Sequence, residues 1–150
     1  MKVYHINYQT NIKRKIAATL IDYAIYFIFA FVYVSYMGTA TEDGGKAVNG
    51  LPALPVFAVW FLYFVVTEAY NGSTPGHDIC GLKVVKESGE NITFKDALKR
   101  RILDVVDLGI WGIPAMICIN NTPKCQRVGD LFAHTLVIRK TDIVVEEVAF

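Results

Sequence analysis

At 150 residues the chain has the length of one domain, but 53% of it is hydrophobic, only 19% is charged and its mean hydropathy is +0.35. That leaves too little polar surface for an ordinary soluble globule and points to a chain that enters the bilayer. A net charge of +1 offers no basic face for nucleic acid, and Cys80, Cys118 and Cys125, odd in number and without a CxxC pair, suggest neither a disulfide framework nor a zinc ribbon.

In chain order, the first element is an apolar run over 16–37. As a helix it is about 33 Å long, which matches a hydrocarbon core of about 30 Å. It is too long for a signal-peptide core and no small-x-small cleavage site follows, so it is expected to be a retained span. The second run, 51–70, carries Trp60, Phe61, Tyr63, Phe64 and Val65, with Pro52 and Pro55 at its start, where a helix tolerates proline. Next, 81–93 reads as a strand, GLKVVKE, that Ser88-Gly89 turns back through Asn91.

An amphipathic helix is predicted from Thr93, whose side chain and Asp96 form a variant of the capping box. Its apolar face is Phe94, Ala97, Leu98, Ile102, Val105 and Val106, with Asp96, Arg100, Asp104 and Asp107 on another face. It runs into a third apolar stretch, 102–119, which Asp104, Asp107, Gly109, Gly112 and Pro114 make a poor simple span. A second strand, HTLVIRK from His134, echoes the first, and each follows a glycine segment at Gly76 or Gly129. If the two strands pair, 102–119 dips in and out or packs as two short helices; three full crossings with an outside tail is the alternative. The expected fold is therefore a single-domain, all-α membrane protein over 1–150. It has two transmembrane helices (16–37 and 51–70), cytosolic strands at 81–93, an amphipathic helix leading into a broken or re-entrant segment (94–119), and a cytosolic strand and tail (129–150).

Charge placement sets the orientation. Lys2, Lys13, Arg14 and Lys15 precede the first span, Glu42, Asp43 and Lys46 follow it, and Lys83, Lys86, Lys95, Lys99, Arg100 and Arg101 follow the second. The amino terminus and the second loop are thus predicted to be cytosolic.

Asp22 lies roughly 9 Å into the first span, where a carboxylate costs about 2.5–3.5 kcal/mol. Thr19, Tyr26 and Tyr33 fall near it on the helical wheel and give a stripe expected to face protein. Either Asp22 is a proton or cation site, joined by Asp104 and Asp107, or it pairs with Arg100 or Arg101 and only fixes helix packing. Glu68, near the cytosolic end of the second span, is expected to snorkel to the interface. Asp104 and Asp107 have a solvated helix face as their alternative. Asp130, after Gly129, caps a turn or binds Arg127. His77, Asp78, Cys80 and His134 match no standard zinc spacing, so no metal and no cofactor is expected. The sequence has no nucleophile motif and no phosphate-cradling glycine loop, so an enzyme is not expected.

Several of these stretches come in a fixed order: Arg14-Lys15, Ala18 and Asp22; Ser73-Thr74-Pro75-Gly76 before Gly81-Leu82-Lys83-Val84-Val85; and Gln126-Arg127-Val128-Gly129-Asp130-Leu131-Phe132-Ala133. The ordered set resembles the RDD family of small integral membrane proteins, and Thr93-Phe94 and Lys99-Arg100-Arg101 also match in place. The resemblance marks Pro75, Gly76, Gly129 and Asp130 as motif residues, and its basic residue falls on Arg14 or Lys15, Arg14 being preferred for its two-pronged carboxylate grip. This chain departs from the family with Gly76-His77-Asp78 in place of Gly-Lys-Arg, and with His134 in place of a glycine. If the usual Lys-Arg pair binds an anion or lipid head group, Asp78 is at odds with that role.

The resemblance implies an integral membrane protein, involvement in transport of some ligand, and self-association. The functional expectation is a homo-oligomer in the bacterial cytoplasmic membrane that moves a small ion or ligand, since two spans are too few to enclose a pathway. Its partners are the lipid bilayer, further copies of the chain and that ligand, with no nucleic acid. The alternative is a non-transporting scaffold or assembly factor, and a third reading is a regulator of a neighbouring enzyme, for which the tail 141–150 offers no motif.

Overall fold

The computed structural model describes residues 2–6, 9–109 and 113–147; the side chains of 2–5, 105–109, 113–116 and 145–147 are outside that description. The first helix, α1 (Ile12–Met37), begins one turn before the apolar run and stops at Gly38, whose N–H bonds the Val34 carbonyl. The second apolar segment is helical over Leu51–Asn71. It opens on a 3-10 turn at Leu51–Ala53, continues as α2 (Leu54–Trp60), widens into a π-helical stretch at Phe61–Val66, and closes as α3 (Thr67–Asn71). Nothing in the residue pattern signals that π stretch. Both helices are long and apolar enough to cross a membrane. Phe27, Phe31, Leu54, Phe57 and Leu62 point outward, as expected where lipid is the solvent.

Tyr26 and Tyr33 of the predicted polar stripe donate from α1 to the second segment, at the carbonyls of Val56 (3.3 Å) and Pro52 (2.8 Å). Thr19 bonds its own helix, at the Lys15 carbonyl. Two short strands, β2 (Thr39–Ala40) and β3 (Lys46–Ala47), pair in the loop between the long helices; Lys2–Ile6 precedes them as β1.

Beyond the second segment come α4 (Pro75–Ile79), β4 (Leu82–Lys86), α5 (Phe94–Gly109), α6 (Ile113–Asn121), α7 (Val128–Phe132), β5 (Thr135–Arg139) and β6 (Ile143–Glu147). The two echoing stretches do pair: β4 and β5 are antiparallel from Leu82↔Arg139 to Lys86↔Thr135. One face of the pair meets Ala18, Val65, Ile92 and Ala97; the other, through Val85, Leu136 and Ile138, meets Ile6 and Ile143. The turn at Ser88-Gly89 forms and returns the chain to bridge Val85 with Asn91. The acidic tail is not a free run, because β6 pairs antiparallel with β1. Residues 102–119 fall on two helices, α5 and α6, and 110–112 between them lie outside the described residues.

The cap predicted for α5 is present, with Thr93 N–H bonded to Asp96 at 2.9 Å and the Thr93 hydroxyl at 2.7 Å. Its predicted faces are kept only in part. Arg100, Arg101 and Asp104 are buried, whereas Phe94 is 44% and Ile102 is 56% exposed. Lys95 and Lys99 stay exposed, whereas Arg100, Arg101 and Asp104 turn inward to charged partners, Glu68 among them. Ala97 and Leu98 still reach the core.

The two halves of the chain repeat one construction. The same sequence interval separates Gly72 from Cys125, Gly76 from Gly129, Gly81 from His134, and Val84 from the Val137 it pairs with. The first and third of these pairs are left-handed residues beyond a helix, with φ of 70° and 47° at Gly72 and Cys125, and 69° and 52° at Gly81 and His134. Gly76 and Gly129 are where a short helix presses on a long one. A Cβ on Gly76 would stand 2.4 Å from the Ala18 carbonyl of α1, and one on Gly129 would stand 2.6 Å from the Arg100 carbonyl of α5. One turn beyond these contacts lie Asp22 and Asp104.

Candidate functional site

Asp22 is 1% exposed and sits where α4 meets α1. Its Oδ1 accepts from the Gly76 N–H at 2.7 Å and from the Tyr63 hydroxyl at 3.1 Å. Its Oδ2 accepts from the Thr74 hydroxyl at 2.5 Å and lies 3.0 Å from His77 Nδ1. Thr74 Oγ1 is also 2.7 Å from His77 Nδ1. With the single hydroxyl proton given to the carboxylate, Nδ1 must carry the other proton and be the donor to both oxygens. Burial holds the His77 pKa below its ordinary value, although the hydrogen bond to Asp22 pulls it up. The imidazole is therefore neutral near pH 7 and next to a carboxylate whose other partners are neutral. Pro75 starts α4, Gly76 allows its close approach to α1, and Thr74 and His77 supply the contacts, which explains the Thr-Pro-Gly motif physically.

Asp104 occupies the corresponding place on α5, with a different filling. Arg101 Nη1 is 2.8 Å from its Oδ2, Arg127 Nη1 is 3.5 Å from its Oδ1, and the Tyr23 hydroxyl donates to Oδ2 at 3.2 Å. Arg127 precedes Gly129 as Thr74 precedes Gly76, so a guanidinium stands where the first half has a hydroxyl. Around it runs a network of buried charge. Glu68 pairs with Arg100 at 2.8 Å and with Arg101. Arg100 Nη2 lies 2.8 Å from Asp130 Oδ1, an ion pair whose angles do not make a hydrogen bond. Asp130 also accepts from the Arg127 N–H at 3.2 Å, so it both caps α7 and binds arginine. Burial would raise the Asp130 pKa, but Arg100 and Arg127 hold it below the ordinary carboxylate range. Glu68, Asp104 and Asp130 thus balance Arg100, Arg101 and Arg127.

Several expectations are corrected by this geometry. Asp22 does not pair with Arg100 or Arg101; those guanidinium groups belong to Glu68, Asp104 and Asp130. Glu68 does not snorkel and Asp104 is not solvated, since both are buried against arginine. Arg14 is exposed and bonds the Cys80 carbonyl at 3.3 Å, while Lys15 is the buried cation, bonding the Cys125 carbonyl at 3.2 Å under the attraction of Asp130. The preference for Arg14 reversed their roles because it weighed side-chain type and not helix face. The Asp107 side chain lies outside the described residues. His77, Asp78, Cys80 and His134 do not converge: Asp78 is bound to Lys140 at 2.5 Å and to Ser73, its pKa held low chiefly by Lys140, and His134 is exposed beside Glu87. Among the described residues no group of three His, Cys, Asp or Glu side chains is placed to hold a metal.

The contacts missed from sequence are His77 and Tyr63 as partners of Asp22, and Tyr23 and Arg127 as partners of Asp104. The shared Gly-x-x-x-x-left-handed spacing of the two halves was the available signal. A family model described as the RDD family matches residues 9–134. The chain belongs to the RDD family. No curated protein and no solved structure matches it. For this RDD protein, the motif glycines at 76 and 129 are helix-contact positions, and the place of the family glycine at 134 is a left-handed residue that a histidine fills at φ 52°.

Proposed function

We propose that this RDD protein takes part in moving an ion or small ligand across the bacterial cytoplasmic membrane as a homo-oligomer, and that Asp22 with His77 exchanges the proton or cation. One observation carries the reading: of two carboxylates in equivalent positions, Asp104 is neutralised by tethered guanidinium groups, while Asp22 has neutral donors and a titratable imidazole. The cation that the second half holds covalently is, in the first half, one that can come and go. Asp104, Glu68 and Arg100 then serve assembly of the fold. The β4–β5 pairing supports a topology in which α5 and α6 return to the side from which they start, and basic residues before α1 and after the second span support a cytosolic amino terminus.

The scaffold reading has its own support in the buried Glu68–Arg100–Arg101–Asp104 network, which fixes helix packing without chemistry. Proton flux in proteoliposomes separates the two. The transport reading expects Asp22→Asn to abolish flux while the oligomer remains intact; unchanged flux, or loss of assembly alone, sinks it.

A further inference from the structure

A cleft of about 440 Å³ opens away from both carboxylate sites, lined by Thr10, Asn11, Ile12, Lys13, Arg14 and Arg139. Among the described residues, three of the six that line it are cations, and none of the three has a carboxylate within ion-pair distance. This is unlike Arg100, Arg101, Arg127 and Lys140, each of which meets an acid. Among the described residues, Arg139 Nε is shielded from solvent with no hydrogen-bond partner, and Arg14 has only its 3.3 Å bond to the Cys80 carbonyl. The wall formed by 10–14 adds to the positive field. Asn11 provides no side-chain cap, and the first turn of the 26-residue α1 holds no acid, so the helix end is uncompensated. Three cations and a bare helix start around one opening repel one another until an anion joins them.

We propose that this cleft binds a phosphate-bearing anion, supplied in the cell by the headgroup of an anionic phospholipid. The cleft lies just ahead of Ile16, where the apolar run of the first span begins, and this is the depth at which headgroup phosphates lie. Arg139 ends β5, so a bound phosphate would tie the start of the first span to the β4–β5 pair. The proposal is independent of proton exchange at Asp22.

The test is native mass spectrometry of the full chain in detergent, titrated with phosphatidylglycerol or phosphatidylcholine. Wild type is expected to prefer the anionic lipid. Lys13→Gln/Arg139→Gln is expected to bind it roughly tenfold more weakly than Lys95→Gln/Lys99→Gln, which removes equal charge from exposed positions outside the cleft. Lys13→Gln alone, on an exposed side chain, should lose roughly fivefold and guards against misfolding of the double variant. Equal losses in both double variants would overturn the site in favour of general surface charge. Displacement of the lipid by millimolar inorganic phosphate would overturn the lipid assignment in favour of a soluble phosphate.

Discussion

The two halves of this chain place a carboxylate at the same point of the same construction and then treat it differently. Asp22 is met by Thr74, the Gly76 N–H, Tyr63 and His77; Asp104 is met by Arg101, Arg127 and Tyr23. An acid inside an apolar segment is therefore not in itself a sign of exchange. On the proposed reading, what decides is whether its countercharge is tethered, as in the second half, or has to arrive, as in the first.

The widest contrast should come from removing a charge. Glu68→Gln leaves Arg100 and Arg101 short of a partner in a buried network and should cost about 3–5 kcal/mol in unfolding in detergent. Asp22→Asn strands no arginine and should cost about 1–3 kcal/mol; equal losses would erase the distinction between the halves. The glycine contacts should behave alike, because the construction is shared. Gly76→Ala and Gly129→Ala each drive a methyl against a backbone carbonyl and should each lose about 1–3 kcal/mol, so a tolerated alanine at either position would break the equivalence.

Acid should act on the first half through His77. Its folded pKa lies below the unfolded value, so the unfolded chain takes up the proton first, and stability falls as pH drops below about 6.5. His77→Gln should flatten that part of a thermal-shift profile between pH 7 and 5, and an unchanged slope would remove His77 as its source. The smallest effect concerns the left-handed positions. His134→Gly should stabilise by about 1 kcal/mol and Gly81→Ala should destabilise by a similar amount, both read as shifts in the unfolding midpoint.

Much of the architecture was legible from residue pattern. The two long apolar helices and the cap at Thr93 follow from hydropathy and capping chemistry, the conditional pairing of GLKVVKE with HTLVIRK from β-branched runs, and each is present. The facing of α5 was not fully legible, because helical periodicity finds two faces but not the partners across the chain, and Glu68 draws Arg100 and Arg101 inward while Ile102 stays exposed. The partner of Asp22 was also hidden. His77 lies far along the chain, and only the approach of α4 permitted by Gly76 brings its ring to the carboxylate. The β1–β6 pair escaped notice since its strands come from opposite termini and neither is strongly patterned.

The most direct measurement of the central contrast is labelling of the reconstituted protein with dicyclohexylcarbodiimide, an apolar reagent for protonated carboxyl groups, followed by peptide mass spectrometry. Modification at Asp22, with Glu68, Asp104 and Asp130 spared by their arginines, is the result expected. Modification of Asp104 or Glu68 while Asp22 stays unreactive would contradict the account.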